Sequence, residues 1–330
     1  MSGVTKPLQR RETEAVTEGT SPSSSADYCG PASRRWGVTN AMTIDVEDYF
    51  HVEAFASTID RGDWDHLPQR VERSTERILD ILAASRAQAT FFVLGWIAQR
   101  HPALVRRILA DGHELASHGC DHLRVDRLSP EAFRADVRRS KRVLEDAGGV
   151  PVSGYRAPTF SISRDSSWAH AVLLEEGYRY SSSVYPLKHD LYGSPGAPRT
   201  AFAPIPGFVE VPLTTVRIFQ TDVPAAGGGY FRLFPYRLTR WLLNQANRSS
   251  GTPAVFYLHP WEVDLDQPRQ HQAPLRSRVR HYLNLGRTEH RLRRLLGDFG
   301  WTRMDRLFLG DDAQPVPLIT SWMDRKPRSR

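Results

Sequence analysis

Through the middle of the chain, short runs of β-branched and aromatic residues alternate with longer stretches whose apolar residues recur every three to four positions. Ala41 to Asp45 reads as a short buried strand, and Thr90 to Leu94 and His113 to Ser117 as two more. Between them Val71, Ile78, Leu79 and Leu82 share one helical face. Leu104, Val105, Ile108 and Leu109 share another, and Gly112 stops that helix. Ser129 followed by Pro130 is a helix start, an N-cap and then a proline in the first turn. Phe133, Val137 and Leu144 give that helix its apolar face, and Gly148-Gly149 closes it. Val150 to Tyr155 predicts a strand, Trp168 to Glu175 a helix ending at Gly177, and Tyr178 to Ser182 a further strand. A long Pro- and Gly-rich stretch follows. Beyond it come a helix near Pro235 to Ala246, an apolar strand Ala254 to Leu258, a helix near Thr288 to Leu296, and a strand around Trp301 to Phe308.

Buried strands alternating with helices predict an α/β protein with a parallel sheet, open or closed into a barrel. In that architecture ligands sit beyond the C-terminal ends of the strands. Residues 1–36 are rich in Ser, Thr, Glu, Arg and Gly and bury too little apolar surface to offset ordering entropy, so a disordered N-terminal arm is expected. Residues 311–330 read as a polar tail, which leaves one domain over residues 37–310.

Composition changes this picture little. A 40% hydrophobic and 25% charged chain of 330 residues is typical of a globular protein with a substantial core. The net charge of +7 rests on arginine far more than lysine, and no nucleic-acid-binding motif accompanies it, so the basic groups read mostly as solvated surface. No run approaches the ~18–20 apolar residues of a membrane span, and no secretory leader is evident. The two cysteines, Cys29 and Cys120, imply no disulfide framework and are compatible with a reducing compartment. The expected location is the cytoplasm, with peripheral membrane contact left open.

Four polar clusters fall where strands are expected to end. Asp45-Val46-Glu47-Asp48 places three carboxylates in four residues, an arrangement that calls for solvent, a helix N-terminus or a cation. In Ser117-His118-Gly119-Cys120-Asp121-His122, two histidines four apart converge on one metal if the segment turns helically. The neighbouring His113-Glu114 is not a zinc-protease HExxH motif, because position 117 is serine. Gly154-Tyr155-Arg156-Ala157-Pro158-Thr159-Phe160 offers an arginine to pair with a carboxylate. In Phe256-Tyr257-Leu258-His259-Pro260-Trp261-Glu262, a histidine ends an apolar strand and a proline turns the chain. One carboxylate with two histidines makes a facial metal set with open positions, while a second carboxylate and His259 supply a general base and a general acid.

The order TIDVED, SHGCDH, YRAPTF and YLHPW resembles the polysaccharide deacetylases with a NodB-homology domain, a carbohydrate esterase family, over roughly residues 40 to 265. The segments DVEDYFHV, GYRAPTFS and LHPWEVD resemble the branch associated with exopolysaccharide and exosortase loci. The resemblance implies a distorted (β/α) barrel, zinc or a similar divalent ion, and removal of N-acetyl groups from amino sugars of a bacterial polysaccharide or its precursor. It makes Asp45 the general base, His118 and His122 metal ligands, Arg156 the residue that orients Asp45, and His259 the acid that protonates the leaving amine. The Thr159 N–H becomes an oxyanion donor, and Tyr155 and Trp261 are expected beside the sugar. The third ligand is Glu47 if the strand continues, since Asp45 and Glu47 then share a face, or Asp48 if the chain turns at once. Relatives often carry an aspartate near Tyr180 to Pro186, where this chain has serines, so a weaker partner and a lower pKa are expected for His259. Gly227-Gly228-Gly229-Tyr230-Phe231 reads either as a moving loop over the cleft or as a plain connector. The implied partner is an N-acetylated glycan, with an exopolysaccharide synthesis complex as a further one. The competing readings are hydrolysis of a small cyclic amide or imide on the same scaffold, and a non-catalytic carbohydrate-binding relic.

Overall fold

The computed structural model describes residues 37–311 and 313–324, so the expected disordered arm, with Cys29, lies outside the described residues. In chain order the strands are β1 (Thr39–Val46), β2 (Thr90–Val93), β3 (Glu114–Ser117), β4 (Gly154–Tyr155), β5 (Tyr180–Ser181) and β6 (Val209–Glu210). They continue with β7 (Thr215–Ile218), β8 (Thr221–Pro224), β9 (Val255–Leu258) and β10 (Gly300–Thr302). Eight of them form one sheet in the order β10-β1-β2-β3-β4-β5-β6, with β9 also on β1, and every pairing is parallel. β7 and β8 make a separate antiparallel hairpin.

The sheet curls into an incomplete barrel. Among the described residues no strand pair joins β6 to β9. The gap is bridged instead where the Val255 N–H donates to Thr214 Oγ1 at 2.7 Å and the Tyr257 N–H to the Ala226 carbonyl at 2.6 Å. β1 is buried on both faces, as a parallel strand between helices and barrel interior must be. Met42, Ile44 and Val46 pack outward under the helices, while Ala41 joins Phe92, Ala116, Tyr180 and Tyr257 inside. Period two then puts Thr43, Asp45 and Glu47 on the inner side.

Helices α1 (Val71–Ser85), α2 (Gly95–Arg100), α3 (Pro102–Ala110), α4 (Pro130–Gly148) and α5 (Ala169–Glu175) cover the first half of the sheet. In α4, Ser129 Oγ accepts the Ala132 N–H at 3.2 Å, and Gly149 ends the helix at φ 68°. Its Phe133, Val137 and Leu144 are fully buried, each contributing about 1.5–3 kcal/mol of burial free energy. The second half adds α6 (Gly228–Leu233), α7 (Tyr236–Ser250), α8 (Leu275–Tyr282), α9 (Leu285–Asp298), α10 (Met304–Phe308) and α11 (Ser321–Asp324).

Three local expectations are corrected. The strands expected over 150–155 and 178–182 shorten to two residues each. The strand expected through Phe308 stops at Thr302, because Thr90 Oγ1 and Glu114 Oε2 accept the N–H groups of Met304 and Asp305 and start α10 there. The glycine run is neither a moving loop nor a plain connector but the start of α6. Gly227 bridges to Tyr257 at φ 112°, where a Cβ would lie 2.1 Å from the Tyr257 carbonyl. Past residue 311 the chain returns to the body: Leu318 bridges to Ala203, and Trp322 is buried against Phe202 and His170.

Candidate active site

The polar clusters meet at the C-terminal ends of the strands. Asp45 is the next-to-last residue of β1 and Glu47 follows it; His118 follows β3, Arg156 follows β4, Ser182 follows β5 and His259 follows β9. Asp45, Glu47, His118, His122, Thr159, His259 and Trp261 line one cavity of about 140 Å³.

Glu47 lies at the centre of the first group. Its Oε1 is 2.9 Å from His118 Nε2 and 3.0 Å from His122 Nε2. His118 Nδ1 sits 2.8 Å from the Arg156 carbonyl, which can only accept, so the ring proton belongs on Nδ1 and the Nε2 lone pair faces Glu47. Three electron-pair donors within 4.8 Å of one another repel unless a cation lies among them. Burial raises the Glu47 carboxyl, but where protons rather than a cation occupy the two Nε2 atoms, the His122 charge and the hydrogen bonds of both imidazoles outweigh it and hold the group well below the usual range.

The segment from His118 to His122 does not turn helically, yet the two histidines converge on Glu47. Gly119 (φ 77°) and His122 (φ 53°) both take left-handed backbone. The loop is pinned where the Cys120 N–H donates to Asp136 Oδ2, and where Arg61 and Arg139 hold Asp121. A left-handed histidine costs roughly 1–3 kcal/mol and persists because its surroundings impose it.

Arg156 is fully buried, with its guanidinium 4.1 Å from the centre of the Phe92 ring. Nη1 donates to Asp45 Oδ1 at 2.6 Å and to Thr43 Oγ1 at 2.7 Å, while Nε and Nη2 donate to the carbonyl and hydroxyl of Ser182 at 3.0 Å. Paired in this way, Asp45 has a fixed orientation on the cavity wall.

His259 has a partner that sequence reasoning did not anticipate. Its Nδ1 is 2.8 Å from Glu262 Oε1, which also accepts the His259 N–H at 3.0 Å. Glu262 Oε2 in turn accepts Arg232 Nε at 2.7 Å. Burial would push His259 down; the hydrogen bond to Glu262 and the charges of Glu47, Glu262 and Asp45 lift it to about 9. Burial likewise raises Glu262, but Arg232 first and His259 second bring it to about 2. The expectation of a weakly partnered, low-pKa histidine is therefore corrected. The serines have other work: Ser182 holds Arg156, and Ser183 Oγ accepts the Ala157 N–H. The i, i+3 spacing of His259 and Glu262 across the turn that Pro260 starts is the clue to this pairing in the sequence.

Two expected site residues are corrected as well. Asp48 is no ligand: Oδ2 accepts the N–H groups of Arg70 and Val71 at the start of α1, and Oδ1 accepts that of Tyr49. Its carboxyl is buried and pushed up to about 6. Tyr155 is a core residue, 1% exposed and packed on Phe133 and Tyr178, because it points outward from β4 toward the helices. Thr159 lies on the cavity wall in left-handed backbone (φ 55°), and Trp261 stacks between His259 and His281 at 5.0 and 4.1 Å. Arg232, His189, Tyr192 and Arg280, none singled out from sequence, complete the wall.

Residues 51–180 match the family model described as polysaccharide deacetylase, and residues 182–309 one described as Domain of unknown function (DUF3473). The first match holds His118, His122 and Arg156, and the second holds His259, Glu262 and Arg232. The chain is 38% identical over 71 residues to the peptidoglycan-N-acetylglucosamine deacetylase of Bacillus cereus, covering 22% of this chain and 33% of that protein. It is 40% identical over 73 residues to the chitooligosaccharide deacetylase of Rhizobium leguminosarum bv. trifolii, covering 22% of this chain and 34% of that one. The chain thus spans about a third of the length of these curated relatives. A solved structure, "putative polysaccharide deacetylase from Mycobacterium smegmatis", shares the fold with a TM-score of 0.54 at 20% identity, over 86% of this chain and 94% of that one.

Proposed function

We propose that the chain, whose residues 51–180 match the polysaccharide deacetylase model, is a divalent-metal hydrolase removing acetyl groups from N-acetylated amino sugars of a glycan. The observation that carries this reading is the meeting of Glu47, His118 and His122 opposite His259 in one cavity. Two relatives named for deacetylating peptidoglycan N-acetylglucosamine and chitooligosaccharides support the substrate class.

Glu47, His118 and His122 would hold the metal, and two imidazoles with one carboxylate suit zinc. The metal, when bound, supplies Lewis acidity at the amide carbonyl. Asp45, kept in place by Arg156, takes a proton from the attacking water. The Thr159 N–H stands on the same wall as a donor to the developing oxyanion. His259 Nδ1 is engaged by Glu262, so Nε2 is the nitrogen left to protonate the departing amine. Acetate and a free amino sugar result. Trp261, its faces taken by His259 and His281, presents only an edge to the cavity and holds the His259 ring in place. We take the glycan to be a bacterial exopolysaccharide or its precursor, met at its synthesis complex, as the sequence resemblance implies.

The test is acetate release from N-acetylglucosamine oligomers by metal-stripped protein, with and without zinc, beside His118→Ala. Zinc-restored release that the variant lacks supports the reading. Absence of any zinc binding would sink it.

A further inference from the structure

α8 turns its apolar residues toward solvent. Leu275 and Val279, one helical turn apart, are 71% and 55% exposed, and the helix's one buried residue is His281. Arg276, Arg278 and Arg280 flank them. From Arg269 to Tyr282 the chain carries four arginines and no acid. Arg276 and Arg280 share Asp190 at 3.0 and 3.1 Å, and Arg269 lies over the Tyr282 ring. Among the described residues Arg278 has no carboxylate partner.

A second patch has the same chemistry. Phe219, at the tip of the β7–β8 hairpin, is 95% exposed and takes left-handed backbone (φ 53°), which a bulky side chain rarely adopts. The hairpin packs on α7 through Val216, Ile218 and Val223 against Leu242 and Ala246. α7 presents Arg237, Leu238, Arg240 and Trp241 to solvent and contains no acid, although Arg240 lies 3.4 Å from Asp298 of α9.

α8 and the start of α7 lie at the end of the barrel where the cavity opens. Arg280 and His281 of α8 line that cavity, and so do Gly229 and Arg232 of α6, which leads directly into α7. Single exposed leucines are ordinary. An i, i+4 apolar stripe among arginines that outnumber their one acidic partner, with exposed Leu238 and Trp241 beside Arg237 on a second helix, is the pattern of a surface that lies on anionic lipid. There the apolar groups bury at the headgroup boundary while guanidinium groups reach phosphate.

We propose that α8 and the start of α7, with the hairpin that packs on α7, dock the protein peripherally on an anionic bilayer surface, with the cleft facing substrate held there. Among the described residues no helix is long and apolar enough to cross a membrane, so the contact is interfacial. Docking stands apart from the deacetylase reading; only the placement of substrate rests on it.

The experiment is flotation of the full chain with phosphatidylcholine vesicles, with and without phosphatidylglycerol. Flotation with the anionic vesicles alone is expected. The double variants Leu275→Ser/Val279→Ser and Phe219→Ser/Trp241→Ser should each weaken it by about tenfold or more, with unchanged circular dichroism. No flotation on anionic vesicles overturns the proposal. So does flotation that salt abolishes but both double variants leave intact, since charge alone would then account for it. So does displacement of the protein from vesicles by a soluble acidic polysaccharide, which would name a glycan as the occupant. A chain that floats but releases no acetate overturns the deacetylase reading alone; one that releases acetate and never floats overturns this inference alone.

Discussion

His259 Nδ1 lies 2.8 Å from Glu262 Oε1, three residues along the same chain, and Arg232 clamps the other oxygen of that carboxylate. This pairing keeps the imidazole in its charged form to about pH 9. A general acid works while protonated, so activity should fall as pH rises through the His259 pKa. In Glu262→Gln the charged partner that most offsets burial is gone, and the alkaline limb of kcat should move down toward the ordinary histidine range near 6.5. A limb that stays where the wild type has it would show that Glu262 does not set the histidine's charge.

Arg232→Leu should be costly to stability. It removes the cation that first offsets the buried Glu262 charge, and also the donor to the His281 and Leu283 carbonyls. Breaking one side of such a buried pair costs about 3–5 kcal/mol. Denaturant unfolding should show that loss near neutral pH, and a loss below about 1 kcal/mol would contradict the clamp's role.

Glu47 and Asp48 are adjacent but should behave oppositely. Glu47→Gln is expected to abolish tight zinc binding in calorimetric titration, since it weakens the carboxylate that both histidines face. Asp48→Asn should keep zinc affinity and lose about 0.5–2 kcal/mol of stability, as a helix cap does. Zinc affinity lost in Asp48→Asn would reverse the assignment.

Glu114 sits inside the barrel wall, bonded to Thr90, Tyr180 and the Asp305 N–H, and burial with the Asp305 charge raises it to about 8. The folded state therefore keeps a proton that an unfolded chain releases near 4.5. Its stabilising contribution is full below that value and is lost as pH rises toward about 8. The wild-type minus Glu114→Gln stability difference should shrink across this window in urea unfolding. A difference that grows with pH would mean the carboxyl is charged in the folded protein.

Much of this protein was legible along the chain. The alternation of apolar runs and helical stripes marks β1, β2, β3 and β9 and helices α1, α3 and α4, because burial of one face is written in a chain's own period. Ser129 and Gly149 mark the ends of α4 by local chemistry alone. The same period puts Asp45 and Glu47 on one face of β1. What the sequence left open were meetings between distant residues. Arg156 reaches Asp45 across 111 positions, and Met304 starts a helix on Thr90 across 214. Asp48 turns away because α1 brings two N–H groups to it, Tyr155 is lost to the core, and Arg232 finds Glu262 only once α6 packs beside β9. Periodicity is a property of neighbours, whereas which carboxylate takes a proton, a helix end or a metal is settled by the charges and donors that closure of the sheet brings within 3 Å or so of it.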